Sequence, residues 1–248
     1  MDVIYTLWLR QIKRYARNGS RIIGTIGQPL LLLLALGYGI GAVYKKAGQG
    51  DYLSFLVPGI ITQTVLLSAI FWGMIILMDK RFGFLSELLV SPVKRWKILL
   101  GSALGGATIS LLQGVLVFVV SMGLGFRPYS WVMVGPALLL LTVITIALTS
   151  IGAGIASMVD DFQGFQGINN LIVMPLFFLS SALYPIDGLP LPLKIISTLN
   201  PISYTVDGLR ALLINQSHFG LPLDFAVIAA TLVVGIAFAV NRFERIQM

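Results

Sequence analysis

Residues 22–44 read IIGTIGQPLLLLLALGYGIGAVY, 23 positions without one charged side chain. A helix of that length covers the ~30 Å hydrocarbon layer of a bilayer. A helix that is apolar on every side has no favourable place on a soluble surface. Five further runs have the same character: 52–78, 98–124, 131–159, 168–183 (short for a crossing) and 221–240. The expected fold is an all-α membrane protein with six transmembrane helices, forming one domain over 1–248 with no room for a separate soluble domain.

Composition agrees. Hydrophobic residues are 57%, charged residues 11% and mean hydropathy is +0.91, against roughly 25% charged in an average soluble domain. The net charge of +7 does not indicate a nucleic-acid partner, because the bases gather at span ends, as a membrane surface requires. There is no cysteine, which excludes disulfides, thiolate metal sites and cysteine nucleophiles. The N-terminal segment is not expected to be a cleavable signal, its charged region being too long. With the N terminus inside, twelve Lys and Arg fall in inner segments, and five (Lys45, Lys46, Arg127, Lys194, Arg210) fall in outer loops. That asymmetry predicts a multi-pass protein of the plasma membrane with both termini cytoplasmic.

Ahead of the first span, residues 1–20 form an amphipathic segment. Arg10, Lys13, Arg14, Arg17 and Arg21 share one helical face, with Ile4, Tyr5, Trp8, Ile12 and Tyr15 opposite. The pattern predicts a helix lying flat in the interface, cations toward anionic lipid headgroups. It is either a topology anchor or an elbow that carries motion from a cytoplasmic partner into the first span. Between spans two and three, residues 79–97 read DKRFGFLSELLVSPVKRWK, charged at both ends and apolar at the centre. Leu85, Leu88 and Leu89 share a face, and Pro92 is expected to end the short helix. Such an element docks into a protein groove or lies against lipid; docking is the reading we favour, since a plain inner loop has no use for an apolar centre.

The run ELLVSPVKRWKILLGSALGGATISLLQG, beginning at Glu87, and the run NNLIVMPLFFLSSALYPIDGLPLPLKIISTLNPISYTVDGLRALL, beginning at Asn169, together resemble the type-2 ATP-binding-cassette exporter permeases. These are the membrane halves of drug, glycolipid and polysaccharide exporters. The recurring pieces are Pro175, the pair Ser180 and Ser181, Tyr184-Pro185, Leu189-Pro190, Asn200-Pro201, Tyr204, and the turn from Asp207 to Arg210. The family often has glycine where this chain has Ser181; helix packing tolerates either. The resemblance implies a permease without its own motor, and the chain indeed has no G-x-x-x-x-G-K-[ST] loop. It would bind no cofactor itself. ATP and magnesium would be held by a separate ATPase subunit present in two copies, and a second permease protomer, expected to be identical, would complete a dimer. The resemblance makes Glu87, Leu88 and Leu89 the coupling helix, with Phe84 and Pro92 at its ends. Arg81, Arg95 and the basic elbow (Trp8, Arg10, Arg14, Arg17) would flank the contact.

Polar groups inside spans are costly unless they face protein or a wet path. Gln28, Gln63, Gln113, Asn169 and Asn170 either bond between helices or line such a path. The family's first, second and fifth spans line the path, which selects Gln28, Gln63 and Asn169. Phe55, Phe71, Trp72, Phe177, Phe178 and Tyr184 contact cargo or serve packing and the lipid belt; Phe177 is placed on the path. Gly101, Ser102, Gly105 and Gly106 form a strip that lets another helix approach closely. Asp160 and Asp161, in a short inner loop, are a second ATPase contact or simply solvent-facing. His218 stands alone, so no metal site is expected, and no G-x-S-x-G elbow supports a hydrolase.

Residues 185–214 are too apolar for a loop and too broken by Pro190, Pro192 and Pro201 for a span. Two short helices that dip in and return satisfy their own backbone, with Pro201 at the turn and Asn200 as cap. In the resembled family this hairpin is the outer lid; Tyr184, Pro185, Pro201, Tyr204, Asp207 and Arg210 are its residues of interest, and Asp207 and Arg210 are spaced to pair. The expected function is ATP-driven export of a drug, lipid or glycan-type cargo. The alternatives are a motorless channel or secondary transporter using the intramembrane amides, and a structural scaffold. All ten acids fall at span ends or in loops, which disfavours a proton-coupled carrier.

Overall fold

The computed structural model describes residues 3–17, 19–46, 51–90 and 92–244, with backbone alone for 20–23, 42–46, 85–86, 89 and 187. In chain order the α-helices are α1 (Val3–Ala16), α2 (Gly19–Lys46), α3 (Tyr52–Arg81), α4 (Phe84–Val90), α5 (Arg95–Gly123), α6 (Val134–Met158), α7 (Phe162–Phe178), α8 (Leu191–Leu199), α9 (Pro201–Ile214) and α10 (Leu221–Glu244). Short 3-10 turns precede α6 and α8, and no strand occurs among the described residues.

Among the described residues, five helical stretches are long and apolar enough to cross a membrane: Gly24–Gly41, Tyr52–Arg81, Arg95–Gly123, Trp131–Met158 and Leu221–Glu244. The run expected at 168–183 is α7, which starts six residues earlier and stops at Phe178. Its 17 residues rise only ~25 Å at 1.5 Å each, so by length it falls short of the bilayer core. The hairpin expected at 79–97 is also shorter, because α3 stays helical to Arg81 and α5 begins at Arg95.

The central post is α3, buried along most of its length between α5, α6, α7 and α9. Asp51 starts it, its carboxylate accepting the N–H groups of Leu53 and Ser54 at 3.3 Å. At the crossing of α3 and α6, a Cβ on Gly152 would stand 2.6 Å from the Ile70 carbonyl oxygen. Only glycine allows two backbones that close, which is how helices in lipid gain contact area without a hydrophobic driving force. Polar side chains inside spans bond back to their own helix: Thr149 to the Thr145 carbonyl (2.7 Å) and Ser150 to that of Ile146 (2.8 Å). By contrast α2 and α7 are thinly packed, each showing large apolar side chains to the outside: Leu31 and Tyr38 on α2, Leu171, Met174 and Phe178 on α7.

Residues 185–214 hold two short helices. α8 and α9 meet at Asn200-Pro201, where the Asn200 side chain accepts the Ile202 N–H (3.0 Å) and donates to the Leu176 carbonyl (2.6 Å). α9 is buried against α3, α6 and α10, whereas α8 presents Leu191, Ile195 and Leu199 outward.

Candidate functional site

The first candidate region is the end of the bundle where α1, α3 and α4 converge. α1 is not laid free on a lipid surface. Its Leu7, Gln11 and Tyr15 are buried, and they pack on the small-residue strip of α5. A Cβ on Gly101 would lie 2.9 Å from Leu7 Cβ, and one on Gly105 2.7 Å from Gln11 Cβ. Equal four-residue steps on both helices mean that α1 runs alongside α5 in the same direction. Trp8 Nε1 donates to Thr108 Oγ1 (3.0 Å), and Gln113 Nε2 donates to the Tyr15 hydroxyl (3.0 Å).

The cations expected to face headgroups are partly spent within the chain. Arg10 grips Asp79 at the end of α3 with both terminal nitrogens, each at 3.0 Å. Its guanidinium lies 3.7 Å over the Phe84 ring of α4, a stacked geometry in which Arg holds an acid and an aromatic at once. Arg14 stands 3.7 Å from the same acid. Arg17 is exposed after the helix. α4 is thereby fastened to α1 and α3.

This inverts part of the docking face. Phe84 and Leu88 turn inward onto a cluster that includes Leu7, Leu77, Ile98, Phe165 and Phe243. The outward residues are Phe82, Glu87, Val90 and Pro92. The Leu89 side chain lies outside the described residues. Arg81 stacks toward the Phe162 ring at 5.2 Å, and Arg95 donates to the Glu244 carbonyl at 2.9 Å, so both bases also join helix ends within the chain. Asp160 binds Lys80 Nζ at 2.6 Å while remaining exposed, and Asp161 caps α7 by accepting the Gly164 N–H at 2.6 Å. The Lys80 hydrogen bond and charge hold the Asp160 carboxyl below the usual carboxylate range.

The second region is a cavity of about 500 Å³ between α2, α3 and α7. From α2 it takes Thr25, Gln28 and Pro29; from α3, Thr64, Ser68, Phe71 and Trp72; from α7, Gln166, Asn169, Asn170 and Met174. Gln113 of α5 closes the back. Gln28 and Asn169 thus share the wall of this cavity. Gln63 does not line it; it is buried elsewhere on α3, and its Oε1 has no hydrogen-bond partner. Phe177 belongs to the packed core with Val173 and Ala182, not to the cavity wall. Gln166 escaped the sequence reading because the span was begun at residue 168. A helix begun at Phe162 puts Gln166, Asn169 and Asn170 on one face at i, i+3, i+4.

At the other end lies a third cluster. Arg210 is buried, donating through Nε to the Phe55 carbonyl (3.3 Å) and through Nη2 to those of Ser181 (2.9 Å) and Ala182 (3.1 Å). Its guanidinium sits 3.6 Å from the Phe55 ring centroid. The Asp207 carboxylate accepts Ser217 Oγ (3.0 Å) and the N–H groups of His218 and Phe219 (2.8 Å each). Each residue therefore ties α9 to a different loop, Arg210 to the segment after α7 and Asp207 to the turn before α10. Tyr204 stacks on Phe219 and donates to the Thr198 carbonyl (2.8 Å). The Tyr184 hydroxyl donates to the Phe178 carbonyl, and Pro185 lines a second pocket of about 500 Å³ with Arg210. Ser181 adopts φ +60, the left-handed region, so backbone conformation rather than helix packing explains glycine at this place. Asp224, read from the sequence as a span-end acid, is wholly buried in the first turn of α10 with both carboxyl oxygens unpartnered.

Long apolar helices, five of them among the described residues long enough to cross a bilayer, mark a multi-pass membrane protein. The model of the ABC-2 type transporter family matches residues 2–214, and the chain belongs to that family. It is similar to the putative transport permease ycf38 of Cyanophora paradoxa, 30% identical over 97% of this chain and 86% of that one. A ycf38 protein of Pyropia yezoensis is 30% identical over 84% and 73%. Nodulation protein J of Rhizobium leguminosarum bv. trifolii is 25% identical over 79% and 75%.

Proposed function

We propose that this chain is the permease subunit of an ATP-driven exporter, working as a homodimer with two copies of a separate ATPase subunit that carries ATP and magnesium. The ABC-2 family membership and the relatives named transport permeases support membrane transport. The observation that carries the coupling is the Arg10 clamp: one guanidinium joins α1, the end of α3 and the Phe84 ring of α4. A push on the exposed side of α4 then moves α1 and α3 as one block, and α3 forms a wall of the cavity. Two bistable arrangements of that block, biased by the motor, give alternating access. The thinly packed α2 and α7 would face the second protomer, so that two cavities join into one path for a drug, lipid or glycan-type cargo.

In this reading α7, continued by the hairpin of α8 and α9, makes the sixth crossing, both termini are cytoplasmic, and the protein sits in the plasma membrane with its basic α1 next to anionic lipids. The motorless-carrier alternative gains the buried Asp224, but that acid does not line the cavity. The test is capture of the ATPase from native membranes. Val90→Asp and Glu87→Lys, on the outward face of α4, should abolish co-purification while leaving thermal stability unchanged; wild-type capture by both variants removes the coupling role.

A further inference from the structure

Along α1 the bases outnumber the acids they meet. A concavity of about 580 Å³ follows the helix, walled by Thr6, Leu9, Arg10, Lys13, Arg14 and Arg17. Arg10 and Arg14 share one acid, Asp79, and Arg14 reaches it only at 3.7 Å. Among the described residues neither Lys13 nor Arg17 pairs with an acid, and both are exposed. The Arg17 N–H still bonds the Lys13 carbonyl at 3.2 Å, so all four bases stay on one helical row. Like charges three and four residues apart repel on a helix. An anion laid across the row removes that cost and gains charge-assisted hydrogen bonds.

The level of the row in the bilayer points to the anion. The 30 residues of α3 rise ~45 Å, which matches the hydrocarbon and both headgroup layers together. Asp79, close to the end of α3, therefore stands at the far edge of one headgroup layer. From there α1 climbs into the bundle. Arg10 meets Asp79, whereas Tyr15 packs with Trp72 and Ile75, further along α3 toward the bilayer. Lys13, Arg14 and Arg17 are thereby carried past the level of α4 to the depth of lipid phosphates.

Resting on the reading of α1 as an element next to anionic lipids, we infer that this groove is a discrete binding site for the phosphomonoester head of a membrane lipid, gripped by Lys13, Arg14 and Arg17. A phosphomonoester carries about −1.5 to −2 charges at neutral pH and three strong acceptor oxygens. That suits two guanidinium forks and an ammonium closing on one group. A phosphodiester head brings less charge and fewer free oxygens, and its second alcohol crowds the groove. A bare phosphate also sits directly on the glycerol, at the depth the row reaches. Arg10 keeps its two-nitrogen hold on Asp79 throughout, so the lipid adds to the clamp without opening it.

The experiment titrates the full chain, in neutral detergent micelles, with phosphatidic acid, phosphatidylglycerol or phosphatidylcholine of one acyl composition, and counts retained lipids by native mass spectrometry. One phosphatidic acid should be held per chain, with half-saturation at least about tenfold below that of phosphatidylglycerol. Inorganic phosphate in excess should not displace it. Lys13→Gln with Arg17→Gln leaves the Asp79 clamp and the buried face of α1 intact, and should weaken phosphatidic acid binding about tenfold or more. Equal retention of the two anionic lipids means that only diffuse charge is read, and overturns the inference. Displacement by inorganic phosphate overturns the lipid assignment. Undiminished lipid binding by the double variant, with loss of ATPase capture, gives the row to a protein partner and also overturns it. Should the double variant fail to fold, the lipid series on the parent decides alone. The permease reading fails separately, if the parent chain captures no ATPase from membranes.

Discussion

Arg210 offers the sharpest check on how this end of the bundle is built. The structure gives its guanidinium three backbone carbonyls on two elements, plus the Phe55 ring, in a site that leaves it 6% exposed. Hydrogen bonds to a charged group contribute about 1.5–3 kcal/mol each, and losses within one network do not add in full. Arg210→Met keeps much of the apolar stem and removes every donor, leaving the Ser181 and Ala182 carbonyls without the group that orders their loop. A net loss of roughly 2–4 kcal/mol follows, which for a chain of this size lowers the melting temperature by about 5–12 °C. Arg210→Lys keeps the charge but not the planar fork, so its loss should be about half as large. Thermal unfolding of the purified protein in detergent reads both. A melting temperature within 1 °C or so of wild type for Arg210→Met would refute the assignment.

Asp79→Asn removes the acid that Arg10 grips and should loosen α1 and α4 together, costing about 1–2 kcal/mol; faster proteolysis near Arg10 and Arg14 at neutral pH checks it. Ser181→Gly relieves a left-handed serine, and after the unfolded-state entropy of glycine the net gain is up to about 1 kcal/mol, visible as a small rise in melting temperature. The Asp160 carboxyl is held below its ordinary value of 3.8 by Lys80. Its folded value being depressed, the stabilisation is present above that ordinary value and disappears as pH falls through the folded one. The stability difference between wild type and Lys80→Met should therefore be constant from pH 7 to about 5 and close progressively in stronger acid.

Much was readable without coordinates because lipid simplifies the problem. Length and lack of charge mark the spans, and Pro92, Asn200 and Pro201 place the helix ends where the structure has them. Directions across the bundle were less legible. Phe84 and Leu88 looked like a face offered to a partner, but an apolar side chain beside a folded wall packs there first, and the neighbours Leu7, Leu77 and Phe165 come from three distant segments. The same holds for Arg10 and Arg210. Sequence shows a cation; it does not show that Asp79 lies within reach of one, or that a row of carbonyls surrounds the other.

By itself, then, the order of residues settles the chemistry of the surroundings: this chain must live in a bilayer, as helices, with its bases at their ends. Which amides share a cavity, which arginine closes which joint, and that Ser181 needs a backbone twist are decided by helix packing. Those contacts join positions up to 155 residues apart, as Arg210 and Phe55 show, and local periodicity carries no information over that distance.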